Sequence, residues 1–151
     1  MEYYKDTFTI STDKRKLDIE TIHGFLTTSY WAKDITPTIV LRCIDHSLCF
    51  GIYDGQKQIG FARVISDYTT FAYLADVFVI EAYRGCGLSK WLMECIMNYP
   101  DLQGLRRWML MTRDAQGLYS RFGFQIAARP DNVMEIARPN IYSEMLAINN
   151  D

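Results

Sequence analysis

The chain has 151 residues, of which 49% are hydrophobic and 23% are charged, and its formal net charge is −2. This composition is typical of one globular domain spanning residues 1–151 and excludes an intrinsically disordered chain. The charge balance disfavours a nucleic-acid partner, and no apolar run has the length of a membrane span or the form of a secretory signal. The four cysteines have the spacing of neither a metal site nor a disulfide scaffold. We therefore expect a cytoplasmic protein with reduced thiols, no bound metal and no membrane partner.

Strands and helices are both predicted in the first half of the chain. The predicted elements are a strand, two helices and two further strands, at 8–11, 18–29, 38–46, 47–53 and 58–66. Apolar residues recur at helical spacing in both helices. The dipeptide Asp54–Gly55 has the chemistry of a hairpin turn, so it predicts that the strands on either side of it pair with each other.

The second half of the chain continues with both kinds of element. The predictions are a strand at 69–80, a helix at 88–99, a strand at 107–112, a helix from Asp114 through Phe122, and strands at 122–128 and 142–148. The first of these strands is apolar on both faces, which is typical of a central strand. A right-handed crossover would place strand 107–112 parallel to it. The pattern predicts an α/β fold in which a mixed sheet carries helices on both faces.

The junction between strand 69–80 and the following helix reads "YRGCGLSK", residues 83–90. A helix N-terminus presents amide N–H groups without intrahelical partners, together with a partial positive charge. Gly85 and Gly87 remove the Cβ atoms that would keep a ligand away from those amides, and Arg84 and Lys90 add positive charge. These features favour a phosphate or pyrophosphate site. A tight strand-to-helix turn without a ligand is the alternative.

Two common phosphate-binding motifs do not match this loop. A P-loop places its Lys–Ser/Thr pair after a longer glycine loop, whereas "GCGLSK" has these residue types in a different order and spacing. A dinucleotide-binding loop requires a third glycine and an acidic residue at the end of the next strand, where this chain has Thr112–Arg113.

Two segments resemble the GNAT superfamily of N-acetyltransferases. The run "VFVIEAYRGCGLSKWLM" is similar to the acetyl-CoA signature Gln/Arg-x-x-Gly-x-Gly/Ala, whose named positions are here Arg84, Gly87 and Ser89. The run "DAQGLYSRFGF" (114–124) is similar to the family's A-x-x-L-Y-x-x-x-G-F element, with matches at Ala115, Leu118, Tyr119, Gly123 and Phe124. The resemblance covers residues 50–124, about half of the chain. It implies a mostly antiparallel sheet whose one parallel strand pair splays apart.

The resemblance implies an acetyl-CoA-dependent transfer to a primary amine by direct attack in a ternary complex. It implies that the pantetheine arm of acetyl-CoA lies along the backbone of Val77, Phe78 and Val79 in the fourth strand. The pyrophosphate would bind at the loop Arg84, Gly85, Cys86, Gly87, Leu88, Ser89 and Lys90. Tyr119 would be the general acid that protonates the leaving thiolate. Thr112 occupies the position of a family asparagine that contacts the pantetheine arm.

Asp76 is a carboxylate within an apolar strand, where an unpaired charge is costly. It is a candidate general base, or a residue that anchors a water, for the acceptor ammonium. The alternative, which we favour, is a buried ion pair with Arg63, because the preceding antiparallel strand would place that arginine about diagonal to Asp76. Tyr30 and Trp31 lie between the first two helices, which in the family help to form the acceptor pocket, so they are candidate substrate-binding residues. Packing of these aromatic rings between the helices is the alternative.

We therefore predict an N-acetyltransferase that acts on a small-molecule or peptide amine. A catalytically weak acyl-CoA sensor is an alternative with the same fold. A protein-interaction module, in which the glycine loop is only a turn, is an alternative of another class. A homodimer is possible, because similar proteins often dimerise.

Overall fold

The computed structural model describes residues 1–150 as one mixed sheet with helices on both faces. The strands are β1 (Glu2–Lys5), β2 (Phe8–Ser11), β3 (Leu48–Asp54), β4 (Lys57–Ser66), β5 (Phe71–Val79) and β6 (Arg107–Leu110). The helices are α1 (Ile19–Leu26), α2 (Pro37–Asp45), α3 (Leu88–Met97), α4 (Gln116–Ser120) and α5 (Ile141–Asn149). The strands lie in the order β1-β2-β3-β4-β5-β6, and every neighbouring pair is antiparallel except the parallel pair β5 and β6. The predicted fold class is confirmed.

Local sequence signals determine where several elements begin. Gly55 takes a positive φ of +59° in the turn between β3 and β4, which glycine adopts without a steric penalty. The Asp18 carboxylate accepts hydrogen bonds from the backbone N–H of Glu20 and of Thr21, and so caps α1. These signals lie where the sequence predicted a hairpin and a helix start.

The sheet separates two apolar clusters. On one face, α3 packs its side chains against β3, β4 and β5, and Leu92, Met93 and Ile96 are completely buried. On the other face, α1 and α2 cover Cys49, Phe61 and Phe78. Full burial of an aliphatic or aromatic side chain stabilises a fold by about 1.5–3 kcal/mol. These clusters therefore hold β5, the strand that carries the candidate site, from both sides.

The structure corrects three predictions at the two ends of the chain: one strand was missed, and two predicted strands do not form. The chain begins with a strand that was not predicted, β1, so the predicted fourth strand is β5. Residues 122–128 form no strand, because Gly123 (φ +89°) and Phe124 close the end of α4, and the N–H of Phe124 donates to the carbonyl of Tyr119. Residues 142–148 belong to α5 rather than to a strand.

Helix α4 is shorter than predicted. It ends at Ser120, so Phe122 lies beyond it, and its first flanking residue is Ala115 rather than Asp114. The Thr112 hydroxyl, not the Asp114 carboxylate, accepts a hydrogen bond from the N–H of Ala115 (3.0 Å). Within residues 1–150, no helix is long and apolar enough to cross a membrane.

Candidate active site

The strands β5 and β6 pair over only four residues each and then diverge. The last paired residues are Leu74 and Leu110, although β5 continues to Val79. A cleft of about 580 Å³ opens beyond that point, and its walls include Asp76, Val77, Thr112 and Tyr119. The gap leaves backbone groups of β5 without a neighbouring strand. The parallel pair therefore splays apart, as the family resemblance implied.

A bulge in β5 brings Asp76 into the cleft. The register between β4 and β5 shifts after Phe61, and Asp76 takes a φ of +55°, which non-glycine residues adopt rarely. Its carboxylate accepts from Arg63 Nε at 2.5 Å and from Trp31 Nε1 at 2.9 Å. The side chains of Arg63 and Asp76 are 16% and 8% exposed. The geometric prediction of a largely buried ion pair is confirmed.

Tyr30 and Trp31 form the wall of the cleft opposite the strands. The Tyr30 and Trp31 rings meet edge to face with centroids 5.0 Å apart, and the two residues are 49% and 41% exposed. The guanidinium of Arg113 lies 3.9 Å from the centroid of the Tyr30 ring, and the Arg113 N–H donates to the Tyr30 hydroxyl at 3.3 Å. The segment between α1 and α2 thus contacts the segment between β6 and α4 across the cleft.

Tyr119 lies on α4 and is 8% exposed. Its ring packs edge-on against Phe124, and the residue lines the cleft. Burial raises the pKa of Tyr119 to about 12, with smaller contributions from Tyr30 and Asp114. The side chain therefore remains a neutral proton donor throughout the physiological pH range.

The backbone direction of β5 beyond the bulge follows from two hydrogen bonds. The N–H of Ile80 donates to the carbonyl of Ile59, which precedes Gly60 on β4 (2.9 Å). Backbone groups alternate in direction along a strand, so those of Val77 and Val79 point toward the open side, and those of Phe78 point toward β4. In agreement, the carbonyl of Val79 accepts from Arg84 Nε at 3.1 Å. Val77 and Val79 therefore present their N–H and C=O groups to the cleft side, and Phe78 does not.

The glycine loop connects β5 to α3. Gly85 and Gly87 take positive φ values of +84° and +74°, and no atom lies within 4 Å of where a Cβ of either would stand. Helix α3 begins at Leu88, whose side chain is buried in the core, so only its backbone N–H is available to a ligand. Arg84, Cys86 and Lys90 are exposed and Ser89 is half-buried. The loop therefore leaves free space beside its two glycines, at the start of α3, with exposed cations at Arg84 and Lys90.

Sequence reasoning missed several residues that line the cleft, among them Tyr73, Arg113 and Tyr142. Tyr142 was missed because its segment was misread as a strand. Tyr73 lies between two buried residues of β5, so its side chain points to the other face of the sheet from theirs. The strand pattern alone does not show that this face leads into the cleft, because that depends on the bulge at Asp76. Arg113 has no sequence signal of its own.

Comparisons with known proteins agree with this geometry. The model of the acetyltransferase (GNAT) domain matches residues 45–126, which is more than half of the chain. The chain belongs to the GNAT superfamily of acetyltransferases. A Gibberella zeae relative whose name assigns it to the acetyltransferases is 30% identical over 137 residues, which cover 76% of each chain.

Solved structures of GNAT proteins have the same fold. A crystal structure of a protein from Xanthomonas campestris that is assigned to the GNAT family is 52% identical, has a TM-score of 0.90, and covers 93% of this chain and 99% of its own. A GNAT acetyltransferase from Elizabethkingia anophelis, solved with acetyl-CoA bound, has a TM-score of 0.63 at 16% identity, covering 89% of this chain and 90% of its own. This chain is therefore an N-acetyltransferase of the GNAT type.

Proposed function

We propose that this GNAT protein transfers the acetyl group of acetyl-CoA to a primary amine, by direct attack within a ternary complex. The observation that carries the proposal is the cleft between β5 and β6. It contains the Tyr119 side chain, and β5, which forms one of its walls, leads along the chain to the glycine loop that precedes α3. One strand thus connects a site suited to phosphates with a site suited to acyl transfer.

The glycine loop is the proposed pyrophosphate site. The first amides of α3 lack intrahelical partners, and the helix dipole adds a partial positive charge at this end. The space where Cβ atoms of Gly85 and Gly87 would stand is free. Arg84 is held toward β5 by its hydrogen bond to the Val79 carbonyl, and Lys90 lies in the first turn of α3. A diphosphate would receive backbone N–H donors and two cations here.

The open edge of β5 is the proposed site of the pantetheine arm. Val77 offers its backbone N–H and carbonyl and Val79 its N–H, whereas the Val79 carbonyl already accepts from Arg84 Nε. An amide-containing arm can therefore replace the missing strand neighbour at these alternate residues. A backbone N–H in this stretch would also stabilise the oxyanion that forms when the amine attacks the thioester carbonyl. Thr112 faces the same cleft, but its hydroxyl already accepts from Ala115. We propose that Thr112 stabilises the turn before α4 and makes no strong contact with the pantetheine arm.

Tyr119 is the proposed general acid. The neutral amine nitrogen bonds to the acetyl carbon, the carbon–sulfur bond breaks, and CoA leaves as a thiolate that takes the proton of the Tyr119 hydroxyl. The proton that the nitrogen loses as the amide forms passes to solvent, and the Tyr119 phenolate is reprotonated from solvent. The buried position keeps this hydroxyl protonated. General acid catalysis of this kind contributes about 10²- to 10⁴-fold to a rate.

Asp76 has a positioning role in this proposal. Both of its carboxylate oxygens already accept hydrogen bonds, one from Arg63 and the other from Trp31. The ion pair with Arg63 holds the Asp76 carboxylate in place, and the carboxylate in turn holds the Trp31 ring. Trp31 and the neighbouring Tyr30 would then line the site of the acceptor amine. A general base role for Asp76 is the competing assignment, and it requires a carboxylate that is free to accept the proton of the ammonium.

Two measurements test the proposed function. Titration of the protein with acetyl-CoA, followed by calorimetry and thermal shift, should show saturable binding. Release of free thiol across a panel of polyamines, amino acids, aminoglycosides and lysine peptides should then identify the acceptor class. Binding without turnover on any amine would favour an acyl-CoA sensor, and the absence of both heat and thermal shift would favour a protein-interaction module.

A further inference from the structure

A second pocket, of about 320 Å³, lies between α2 and β4. Its walls include the side chains of Arg42, His46 and Arg63, and none of the described residues that line it is acidic. The pocket is distinct from the cleft between β5 and β6, although Arg63 lines both. A concave surface whose charged groups are all of one sign concentrates ligands of the opposite sign. The pocket is therefore suited to an anion.

Two of the polar side chains that line this pocket are largely buried. Ser47 is 7% exposed and the Arg63 side chain is 16% exposed. Arg63 Nη1 donates to Ser47 Oγ at 3.2 Å, and Arg63 Nε donates to Asp76. Within residues 1–150, however, neither the Ser47 hydroxyl nor Arg63 Nη2 donates to an acceptor. Buried donors normally have a partner, so these two indicate a ligand that supplies acceptor oxygens.

The exposed wall of the pocket adds two further donors. Arg42 and His46 lie four positions apart at the end of α2, so their side chains share one face of the helix. Arg42 forms no salt bridge within residues 1–150. The His46 imidazole offers an N–H in either protonation state.

The end of α2 itself does not oppose an anion strongly. The carbonyl groups at a helix C-terminus carry a partial negative charge. Here the carbonyls of Arg42 and Ile44 already accept from the N–H groups of His46 and Ser47, at 3.2 and 3.3 Å. The side chains therefore dominate the electrostatics of the pocket.

The remaining walls of the pocket are partly apolar. Ile65 on β4 is 41% exposed, and Ile39 on α2 is half-buried. Small-molecule sites commonly combine apolar walls with a few polar groups that fix the orientation of the ligand. The two isoleucines could contact the organic part of an anionic ligand.

Arg63 connects this pocket to the candidate active site. Its Nε donates to the Asp76 carboxylate, which also accepts from Trp31 Nε1 at 2.9 Å. An anion bound to Arg63 Nη2 would share the charge of the guanidinium with Asp76. Binding of the anion and the hold of Asp76 on Trp31 are then linked, and such a linkage acts in both directions.

We propose that the pocket between α2 and β4 binds a small phosphate-type oxyanion and that Arg63 couples the bound anion to Trp31. The oxyanion accepts from Arg63 Nη2, from the Ser47 hydroxyl and from Arg42, with His46 beside them. The site lies outside the glycine loop and requires neither acetyl-CoA nor an acceptor. It therefore stands or falls separately from the proposed function.

An NMR titration of the protein with inorganic phosphate and with phenyl phosphate, at constant ionic strength, tests the proposal. The backbone amide of Ser47 and the indole N–H of Trp31 should shift and saturate together, whereas the indole N–H of Trp108, on β6, should not shift. Tighter binding of phenyl phosphate would assign the ligand to an organic phosphate that contacts the isoleucines, and equal binding would assign it to free phosphate. Both of these results support the site.

Three variants sharpen the test. Arg42→Gln should weaken phosphate binding about tenfold or more, because a charge-assisted hydrogen bond is lost. Arg129→Gln is the matched control, since it removes an exposed arginine outside the pocket and should leave the affinity for phosphate unchanged. Asp76→Asn should tighten phosphate binding about tenfold, because Arg63 no longer shares its charge with a carboxylate.

Several results would overturn the proposal. Shifts confined to residues 84–90 would place phosphate at the glycine loop alone. Equal affinities of Arg42→Gln and Arg129→Gln for phosphate would remove the pocket as the binding site. A Trp31 indole signal that does not respond in the wild-type protein, or an Asp76→Asn variant that folds but binds phosphate no more tightly, would remove the coupling through Arg63.

Discussion

Replacing Asp76 by asparagine leaves the Arg63 guanidinium without its counter-ion at a site that is largely shielded from water. The two side chains are 16% and 8% exposed, so solvent screening of the pair is weak. The asparagine oxygen can still accept from Trp31 Nε1, which isolates the loss of the charge. Leaving one member of a buried pair uncompensated costs about 3–5 kcal/mol of unfolding free energy, and we expect Asp76→Asn to lie in this range.

A double-mutant cycle on Arg63 and Asp76, measured by urea unfolding, tests the predicted loss of unfolding free energy. Arg63→Met alone removes the cation, which also donates to Ser47 Oγ at 3.2 Å, and the double variant removes both charges. We expect a coupling energy of at least about 2 kcal/mol, since the second substitution relieves the charge left by the first. The exposed pair of Arg138 and Glu144 is the matched control (64% and 57% exposed), and Glu144→Gln should cost less than about 1 kcal/mol.

The same variants separate a positioning residue from a general base. A positioning role predicts that Asp76→Asn mainly raises the KM of the acceptor amine, with kcat lowered only modestly. The asparagine still accepts from Trp31, but without its ion pair to Arg63 it holds the Trp31 ring less firmly. A base role predicts a large fall in kcat with little loss of stability. A coupling energy below about 0.5 kcal/mol, which is within the additivity of independent sites, would refute the reasoning from the ion pair.

Three further outcomes are expected. Gly87→Glu should abolish measurable acetyl-CoA binding while the protein stays folded. The control Gly104→Glu, at a similar φ of +72°, should bind acetyl-CoA normally. Equal affinity of the two variants for acetyl-CoA would refute the proposed pyrophosphate site at the glycine loop. Tyr119→Phe should lower kcat about a hundredfold with unchanged acetyl-CoA affinity and melting temperature, and a change under twofold with chemistry rate-limiting would assign the proton to another donor. Burial raises the pKa of Cys49 and of Cys95 from 9.0 to about 11. The unfolded thiols therefore ionise first, so the unfolding free energy should fall as the pH rises from about 9 to 11, and replacing both cysteines by alanine should flatten that slope.

Sequence patterns predicted the elements whose local signals agree with their tertiary environment. The β3–β4 hairpin has its turn residues at Asp54–Gly55, and both strands are buried. The unit of β5, glycine loop and α3 combines an apolar strand, glycines that need a positive φ and an amphipathic helix. The C-terminal quarter was predicted poorly because apolar residues there are exposed, whereas the prediction took them to be buried. Ile126, for example, was assigned to a strand but is 84% exposed.

The candidate site was predictable where a motif carries it and unpredictable where the contact is long-range. Gly87 and Tyr119 could be read from the sequence, because the family motifs place them at fixed positions relative to a strand and a helix. The hydrogen bond from Trp31 to Asp76 joins residues 45 positions apart, and the contact between Tyr30 and Arg113 spans 83 positions. Neither has a local signal. Both depend on the bulge and on the splay of the strands, which only the assembled sheet defines.

Burial makes Tyr119 a weaker acid than an ordinary tyrosine, and this affects its proposed role as a proton donor. A phenol with a pKa of about 12 is roughly 3.5 pKa units weaker as an acid than a free thiol of about 8.5, so protonation of a fully hydrated thiolate would be unfavourable by about 5 kcal/mol. In the proposed mechanism, however, the thiolate of CoA would form beside the buried Tyr119 hydroxyl, where any loss of water would raise the pKa of the thiol in the same direction. The two groups are therefore matched only while the cleft excludes water. In the proposed mechanism, Tyr30 and Trp31, which line the cleft opposite the strands, would therefore support proton transfer as well as acceptor binding.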